Sequence, residues 1–316
     1  MNLQNKIITI FGGTGFVGRY IVARLAKQGA TIKIVTRSPS SGYFLRQFGV
    51  VGQIVPVACD YSEHAINQAV SGSDIVINCL GILFEKGKSK FKTVHIDDAS
   101  MIAKACAVYN VKSLVHISAL GIDESKSKYA ETKREGEKEV RSHFPAATII
   151  RPSVIFGPED NFFNKFASLS LIMPVLPLIA GGNTRFQPVY VGDVADAVVK
   201  TLMLNSSHGK TYELGGPEIL SFKEIYHKLF AQTRRKRILV NLPEGIARIQ
   251  AALFSILSNP PLTGDQITSL RTDNVVSIEA LKLKDLDIQP TALDAILPSY
   301  LGRYRSGGRF AEKKRA

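Results

Sequence analysis

Short runs of aliphatic residues alternate with amphipathic segments over the first half of the chain. Six apolar runs predict strands: KIITIF (6–11), TIKIVT (31–36), QIVPVAC (53–59), DIVINCL (74–80), SLVHIS (113–118) and ATIIRPS (147–153). Helices are predicted between them, at 15–29, 43–48, 62–71, 93–109 and 127–142. Runs that are apolar throughout, rather than at every second position, are typical of parallel strands buried on both faces. The pattern therefore predicts an α/β fold with a doubly wound parallel sheet.

The alternation stops after Pro152, and the rest of the chain is mixed. An apolar run at 166–180, FASLSLIMPVLPLIA, contains two prolines and is too short to cross a bilayer, which takes about 20 residues. We therefore expect three parts: a first domain at 1–157, a smaller C-terminal α+β lobe at 158–302, of which 185–204 return to the first domain, and a basic tail at 303–316.

One helix of the predicted lobe is apolar over most of its circumference. Residues 243–258, PEGIARIQAALFSILS, leave only a narrow polar stripe of Glu244, Arg248 and Ser255. Such a helix has to be covered on nearly every side. We expect it to pack into the protein, or against a partner or a membrane.

The charge balance favours an acidic partner. In 316 residues, 40 Lys and Arg stand against 27 Asp and Glu, a net charge of +13. Two basic blocks contribute, Arg234–Arg237 and a second one near the end of the chain (Arg303, Arg305, Arg309, Lys313, Lys314, Arg315). The partner could be nucleic acid, an anionic membrane face or a phosphorylated ligand. Tryptophan is absent and no basic stripe is interleaved with aromatic residues, which argues against nucleic acid.

The cysteines and histidines suggest no metal or disulfide chemistry. Cys59, Cys79 and Cys106 lack CxxC spacing, and we expect small buried side chains in a reducing compartment. The histidines are scattered at unrelated spacings, so no metal site is predicted. A strand already begins near Lys6, which leaves no room for a signal peptide. From these features we expect a soluble or peripheral protein.

A glycine-rich loop follows the first predicted strand and opens the first helix. Its sequence is Gly12-Gly13-Thr14-Gly15-Phe16-Val17-Gly18, which contains GxGxxG. Gly12 and Gly13 permit a tight turn, and Gly15 lets a pyrophosphate approach bare backbone N–H groups at a helix N-terminus. Gly18 lets the helix lie close to the sheet. In this strand–loop–helix context the motif predicts a dinucleotide site of the Rossmann type.

The end of the second strand indicates which dinucleotide is bound. NAD sites usually carry an acidic residue there for the ribose 2′-hydroxyl. This chain has Arg37, which cannot accept a hydrogen bond but can pair with a 2′-phosphate. NADPH is therefore predicted over NADH.

A second constellation lies after the fifth strand. Tyr129 and Lys133 are four residues apart on a predicted helix and share one face. A neighbouring ammonium stabilises a phenolate, so we expect the pKa of Tyr129 to lie below its usual value of about 10. Such a tyrosine serves as a general acid or base. Ser118, at the end of the fifth strand, is placed to hold a substrate carbonyl.

These motifs together resemble the short-chain dehydrogenase/reductase superfamily, in its extended or atypical branch of epimerases and dehydratases. The resemblance covers roughly residues 5–300 and implies that Ser118, Tyr129 and Lys133 form a catalytic triad. It also implies that Asp60 contacts the adenine amino group. The loops expected beside the adenine ribose and the nicotinamide amide are Leu80-Gly81 and Pro152-Ser153-Val154, respectively.

Within the superfamily, several segments are more similar to one subfamily. HISALGID, KYAETKREGEKEVR, IIRPSVIFGPEDNFFNKFA, QPVYVGDVADAV and SNPPLTGDQ resemble the nucleotide-binding accessory subunit of respiratory complex I and its alphaproteobacterial homologues. That resemblance implies NADPH held as a structural ligand, with complex I subunits or an anionic membrane face as partners. It also implies a cytoplasmic location, peripheral on the cytoplasmic side of the inner membrane. The alternative is a free NADPH-dependent reductase, epimerase or dehydratase that acts on a carbonyl, quinone or isoprenoid-like small molecule. The intact Ser118, Tyr129 and Lys133 favour the alternative, and both remain open at this point.

Overall fold

The computed structural model describes residues 2–254, 260 and 262–308. Its main sheet has seven strands: β1 (Ile7–Phe11), β2 (Thr31–Thr36), β3 (Ile54–Ala58), β4 (Ile75–Asn78), β5 (Ser113–Ile117), β6 (Thr148–Pro152) and β11 (Thr211–Leu214). All pairings are parallel, in the order β11-β6-β5-β4-β1-β2-β3. The winding direction reverses between β1 and β4, and in open parallel sheets ligands bind at the carboxyl edge of such a point.

Helices cover both faces of this sheet: α1 (Phe16–Lys27), α2 (Glu63–Val70), α3 (Asp98–Val108), α4 (Lys128–His143) and α6 (Val191–Met203). The core on one face is shared with α1 and α6 through Ile21, Leu25 and Val198. On the other face α2 and α3 contribute Ile66 and Ile102. The prediction of a doubly wound sheet is therefore confirmed.

A smaller α+β lobe has its own aromatic core around Phe163, Phe222 and Tyr226. Its strand pairs are β7 (Ile155–Phe156) with β10 (Val189–Tyr190), β8 (Val175–Ile179) with β13 (Ile238–Leu242), and β9 (Arg185–Phe186) with β12 (Leu220–Ser221). Its helices are α5 (Phe163–Ile172), α7 (Phe222–Thr233), α8 (Glu244–Phe254), α9 (Gly264–Ser269) and α10 (Leu293–Leu301).

The six predicted strands agree with the structure within two residues at each end, and the main differences concern helices. The helix expected at 43–48 is the end of a 3₁₀ helix, Pro39–Phe48. The helix expected at 93–109 starts with a π-helical turn, Lys92–Asp97. Strand β11 is not indicated by the pattern, because its sequence TYEL is half polar. No helix in the described part of the chain has both the length and the apolar character needed to cross a membrane.

Among the described residues, helix α8 is covered on its alanine side alone. Ala247 and Ala251 are 0% and 4% exposed, whereas Ile246, Ile249 and Leu253 are 55%, 65% and 68% exposed. Packing within the described part of the protein therefore accounts for one side of the helix, where a small cluster around Ile179 and Ile267 covers it. For the outer face, the expected contact with a partner or a membrane stays a prediction. Residues 255–258 of the predicted helix lie outside the described residues, as does the tail beyond residue 308.

Candidate dinucleotide site

The glycine loop joins β1 to α1 and leaves the helix N-terminus open. Gly15 is the N-cap of α1, without a side-chain cap, and the first turn contains no acidic residue. A Cβ on Gly18 would lie 2.3 Å from the Gly12 carbonyl oxygen, so Gly18 lets α1 pack on the loop itself. A Cβ on Gly15 would meet only that same oxygen, at 3.1 Å. The space in front of Gly15 is thus free for a ligand, and the uncapped N–H groups favour an anion there.

An arginine that the motif does not include lies against this loop. The Arg19 guanidinium donates to the carbonyl oxygens of Thr14 and Gly15, both at 3.2 Å, and lies 5.2 Å from the centroid of the Phe44 ring. It adds positive charge beside the expected pyrophosphate position. A basic residue one position after Gly18 is too common on helices for the sequence to mark it.

Arg37 directly follows β2 and is exposed. Among the described residues no partner forms a hydrogen bond or an ion pair with its guanidinium. Its charge acts on two neighbours: burial raises the pKa of Asp98 to about 6 and that of Tyr61 to about 12, and Arg37 opposes both changes. The guanidinium is therefore available to an external anion.

Asp60 lies in the turn before α2. Its Oδ1 accepts from the backbone N–H of Ser62 at 2.9 Å and from the Ser62 hydroxyl at 2.7 Å. These hydrogen bonds lower the pKa of the carboxyl group. The second oxygen has no partner among the described residues, and the contact with an adenine amino group stays a prediction.

The loop after β4 contacts both the glycine loop and α4. A Cβ on Gly12 would lie 2.9 Å from the Cys79 carbonyl oxygen. The Lys133 ammonium donates to the carbonyl oxygens of Ile117 at 3.1 Å and Leu80 at 3.4 Å, and a Cβ on Gly81 would lie 3.3 Å from it. Lys133 thus joins the two loops that follow β4 and β5.

Ser118 and Tyr129 also lie at this edge. Ser118 follows β5 and is buried, and its hydroxyl oxygen has no partner among the described residues. The ring of Tyr129 lies edge-on to the rings of His95 and Phe91, with centroids 5.3 Å and 5.9 Å apart. A buried hydroxyl without a protein partner is a ready hydrogen-bonding group for a ligand.

The expected lowering of the Tyr129 pKa is wrong. Loss of solvation raises the pKa of Tyr129 to about 12, and Lys133 does not offset this. The reason is that the Lys133 ammonium is directed at backbone carbonyl groups, and burial lowers the pKa of Lys133 itself to about 8. In this arrangement the phenol of Tyr129 is protonated at neutral pH.

His95 holds the Tyr129 helix against the loop after β4. Its Nε2 accepts from the backbone N–H of Ile82 at 3.2 Å, and its Nδ1–H donates to the Thr132 hydroxyl at 3.0 Å. That hydroxyl in turn donates to the carbonyl oxygen of Lys128 or Tyr129. Burial lowers the pKa of His95 to about 3, so the ring is neutral. The histidine is thus a buried residue with both ring nitrogens hydrogen-bonded, and it lies next to Tyr129.

The loop after β6 depends on a residue far along the chain. The Ser153 hydroxyl and the Val154 N–H donate to Asn274 Oδ1 at 2.6 Å and 3.1 Å. The Asn274 amide donates to the carbonyl oxygen of Leu120 at 2.8 Å. Asn274 therefore joins the loops after β5 and β6. No sequence motif marks it.

The predicted site residues thus follow the carboxyl ends of strands β1 to β6, at one edge of the sheet. They are Gly12, Gly13, Thr14, Gly15, Phe16, Val17, Gly18, Arg37, Asp60, Leu80, Gly81, Ser118, Tyr129, Lys133, Pro152, Ser153 and Val154. Their roles toward a ligand stay predictions. Within the described residues no group of three or more His, Cys, Asp or Glu side chains is placed to hold a metal ion. Fold and site together define a Rossmann-type dinucleotide-binding protein.

Comparison with known proteins identifies the family. Residues 8–215 match the model of the NAD dependent epimerase/dehydratase family. The chain belongs to this family.

Curated relatives match over nearly the whole chain. The Arabidopsis thaliana protein named NADH dehydrogenase [ubiquinone] 1 alpha subcomplex subunit 9, mitochondrial, is 36% identical over 97% of this chain and 80% of its own length. The Neurospora crassa NADH-ubiquinone oxidoreductase 40 kDa subunit, mitochondrial, is 35% identical over 96% of this chain and 81% of its own. Among solved structures, an NADPH-dependent quinone oxidoreductase from Escherichia coli, complexed with NADPH, superimposes with a TM-score of 0.74. It is 20% identical and the match covers 93% of this chain and 98% of that one, which supports the fold.

The buried Lys133 predicts a specific dependence of stability on pH. Its pKa is about 8 in the folded protein and 10.5 without burial, so between these values the unfolded chain binds the proton and the folded one does not. The free energy of unfolding therefore rises with pH across this window, and Lys133 contributes about 3 kcal/mol to the rise. We expect denaturant unfolding to show that increase, from pH 8 to 10.5, in the wild type relative to Lys133→Met. Parallel pH profiles of the two proteins would contradict it.

Proposed function

We propose that this protein is an accessory subunit of respiratory NADH:ubiquinone oxidoreductase (complex I) and holds NADPH mainly as a structural ligand. The observation that carries the proposal is the match to two subunits named for that complex, at 35–36% identity over nearly the full chain. A likeness confined to the glycine loop and the sheet would support only a shared fold. Here it extends through the C-terminal lobe.

The site chemistry supports NADPH as the ligand. An uncapped helix N-terminus and Arg19 suit a pyrophosphate, and the unpaired Arg37 guanidinium suits a 2′-phosphate. In NAD sites of the Rossmann type, an acidic residue usually takes the position that Arg37 has here. The nicotinamide half would be held by Lys133, Tyr129 and the loop at Ser153.

A structural role for the cofactor agrees with the state of Tyr129. Its raised pKa and the direction of Lys133 toward backbone carbonyls favour holding the ribose over proton transfer. A ligand that binds only the folded state adds about 4 kcal/mol of stability at a thousandfold excess over its Kd. Such a ligand stabilises a subunit without turning over.

The deciding experiment is purification of the tagged protein from its own cells at native expression. We expect it to migrate with a large membrane complex on a native gel and to release NADPH on denaturation. A protein that runs alone and carries no nucleotide would contradict the proposal.

One observation favours the alternative, a free reductase: the buried Ser118 hydroxyl without a protein partner. The Tyr129→Phe variant separates the two functions. If the protein is an accessory subunit, this variant binds NADPH and assembles as the wild type does. If it is a free reductase, an NADPH-dependent reduction of a carbonyl or quinone is measurable in the wild type and lost in the variant.

The smaller lobe offers the surface that we propose for docking. Arg235 Nε donates to the Tyr304 carbonyl oxygen and Arg305 Nε to that of Gln232, so the first basic block lies beside Arg303 and Arg305, the described part of the second. On either side of Arg235 in the chain, Arg234 and Lys236 are exposed and have no ion-pair partner among the described residues. The exposed Ile238 and Val240 follow in β13, and then the outer face of α8.

Cations beside exposed aliphatic side chains suit an anionic bilayer surface, where each basic residue contributes about 1 kcal/mol. We propose that this lobe rests on the cytoplasmic side of the inner membrane, next to the membrane part of the complex. The two relatives from Arabidopsis thaliana and Neurospora crassa are themselves named as mitochondrial proteins.

A substitution on the outer face of α8 is expected to reduce membrane binding. We expect the wild type to float with vesicles of phosphatidylcholine containing a third phosphatidylglycerol, and to dissociate as salt rises. Ile249→Glu should reduce the bound fraction about tenfold, because it removes an aliphatic contact and adds repulsion. Val51→Glu, which makes the same change at an exposed site on the other domain, is the matched control. Equal loss in both variants would contradict docking through α8.

A further inference from the structure

One segment of the smaller lobe crosses back to the dinucleotide site. It comprises residues 263–274, and we name it the clamp segment. Helix α9 begins it with a capping box of Thr263 and Gln266. Asn274 ends it, paired with Phe186 through an isolated bridge. Nothing in the glycine motif or in the Tyr–Lys pair requires this segment.

Asp265 of the clamp segment caps the helix that carries Tyr129 and Lys133. Its Oδ1 accepts from the N–H of Lys128 at 2.7 Å, and its Oδ2 accepts from the N–H of Tyr129 itself at 3.1 Å. The next N–H, of Ala130, is bonded by the Ser127 hydroxyl. Helices leave their first N–H groups without internal partners, and a carboxylate there is stabilised by charge-assisted hydrogen bonds and the helix dipole. Asp265 therefore holds the start of α4 in place.

Asn274 holds the opposite side of the same half of the site. As described above, it bonds the Ser153–Val154 loop and the carbonyl oxygen of Leu120, two residues after Ser118. The backbone of the clamp segment lies close to the loop after β5 at this point, since a Cβ on Gly121 would lie 3.2 Å from the Asp273 carbonyl oxygen. The clamp segment thus contacts α4, the loop after β5 and the loop after β6. It has no hydrogen bond to the glycine loop or to Arg37.

The clamp segment is itself fixed to the lobe. The Arg271 guanidinium forms an ion pair with the Glu244 carboxylate of α8, and Arg248 donates to the Thr268 hydroxyl at 3.1 Å. Asp273 accepts from the N–H and from Nε of Arg185, both at 2.8 Å. The side chain of Ile267, within the segment, is fully buried. A segment with these anchors can hold α4 and the two loops at a constant spacing.

We propose that the clamp segment positions the nicotinamide half of the dinucleotide site, with Asp265 and Asn274 as the positioning residues. The adenine half, with the glycine loop and Arg37, forms without it. This inference rests on the proposed NADPH binding. Neither residue touches the ligand. Asp265 acts through Tyr129 and Lys133, and Asn274 through Ser153 and Val154.

Two ligands separate positioning from a general loss of stability. NADPH uses both halves of the site, whereas adenosine 2′,5′-bisphosphate uses only the adenine half. Calorimetric titration measures both affinities. We expect Asp265→Ala to raise the Kd for NADPH about tenfold, which corresponds to about 1.4 kcal/mol. The Kd for the bisphosphate should stay within about twofold of the wild-type value. Asp265→Asn, which keeps one acceptor oxygen, should lie between Asp265→Ala and the wild type. Asn274→Asp, which keeps the acceptor for Ser153 and loses the donor to Leu120, should also weaken only NADPH.

Glu279→Ala is the matched control, because this exposed carboxylate lies outside the clamp segment and has no hydrogen bond to the site or to an anchor among the described residues. It should leave both affinities unchanged. If both ligands weaken together in the Asp265 and Asn274 variants, or if neither weakens, the positioning role is wrong and NADPH binding by the wild type still stands. If the wild type binds neither ligand, the proposed function fails as well.

Discussion

Replacing Gly15 with valine is expected to abolish dinucleotide binding while the protein still folds. The backbone of Gly15 has φ −71°, which any residue adopts, and its Cβ would meet only the Gly12 carbonyl oxygen at 3.1 Å. A valine side chain would therefore occupy the path of the pyrophosphate with little strain elsewhere. We expect at least a hundredfold rise in the Kd for NADPH, and a loss of stability of about 1 kcal/mol because valine is a poor N-cap. Calorimetric titration and denaturant unfolding measure the two effects.

Two other glycines serve as controls for this result. Gly245→Val places the same side chain in the first turn of α8, where a Cβ meets nothing within 4 Å, and should leave NADPH binding intact. Gly18→Ala should instead destabilise the fold, since its Cβ would lie 2.6 Å from Gly13 Cα. Undiminished NADPH binding by folded Gly15→Val would show that the phosphates lie elsewhere.

Replacing Arg37 with glutamate is expected to reverse the preference for NADPH over NADH. The change removes the guanidinium, repels the 2′-phosphate and supplies an acceptor for a ribose hydroxyl. Losing two charge-assisted hydrogen bonds costs about 3 kcal/mol, so the Kd for NADPH should rise about a hundredfold. The Kd for NADH should fall.

The matched control is Lys27→Glu, which makes the same charge change at the C-terminal end of α1, away from the glycine loop. It should alter both affinities only slightly, by long-range electrostatics, and leave NADPH the preferred ligand. A wild type that binds NADH as tightly as NADPH would contradict the role of Arg37 before any variant is made.

Local pattern determined the strands and the phosphate loop. Six strands are predictable because a strand buried on both faces is apolar at most positions, as in Ile75–Asn78, which is buried throughout and polar only at its last residue. The loop at Gly12–Gly18 is predictable because its requirements, a tight turn and space near a helix N-terminus, fall within seven consecutive residues. Strand β11 escapes this reasoning, since an edge strand is apolar only on the side that the sheet buries.

The electrostatics of the site were decided by the tertiary structure. The spacing of Tyr129 and Lys133 correctly places both on one face of α4 but cannot say where the ammonium is directed. In the fold, the Lys133 ammonium donates to the carbonyl oxygens of Ile117 and Leu80. The rings of His95 and Phe91 pack against the phenol ring of Tyr129. Desolvation then outweighs the expected charge effect and raises the pKa of Tyr129.

What the sequence alone determined is therefore the family of folds, the dinucleotide loop and the residues that follow the strand ends. Only the tertiary structure decided which residues from distant parts of the chain contact the loops at that edge of the sheet. Asp265 reaches Tyr129 across 136 residues and Asn274 reaches Ser153 across 121, and Arg235 of the first basic block donates to the carbonyl oxygen of Tyr304. Hydrogen bonds and solvation depend on distances in space, and residues this far apart in the chain carry no periodicity or spacing that records those distances.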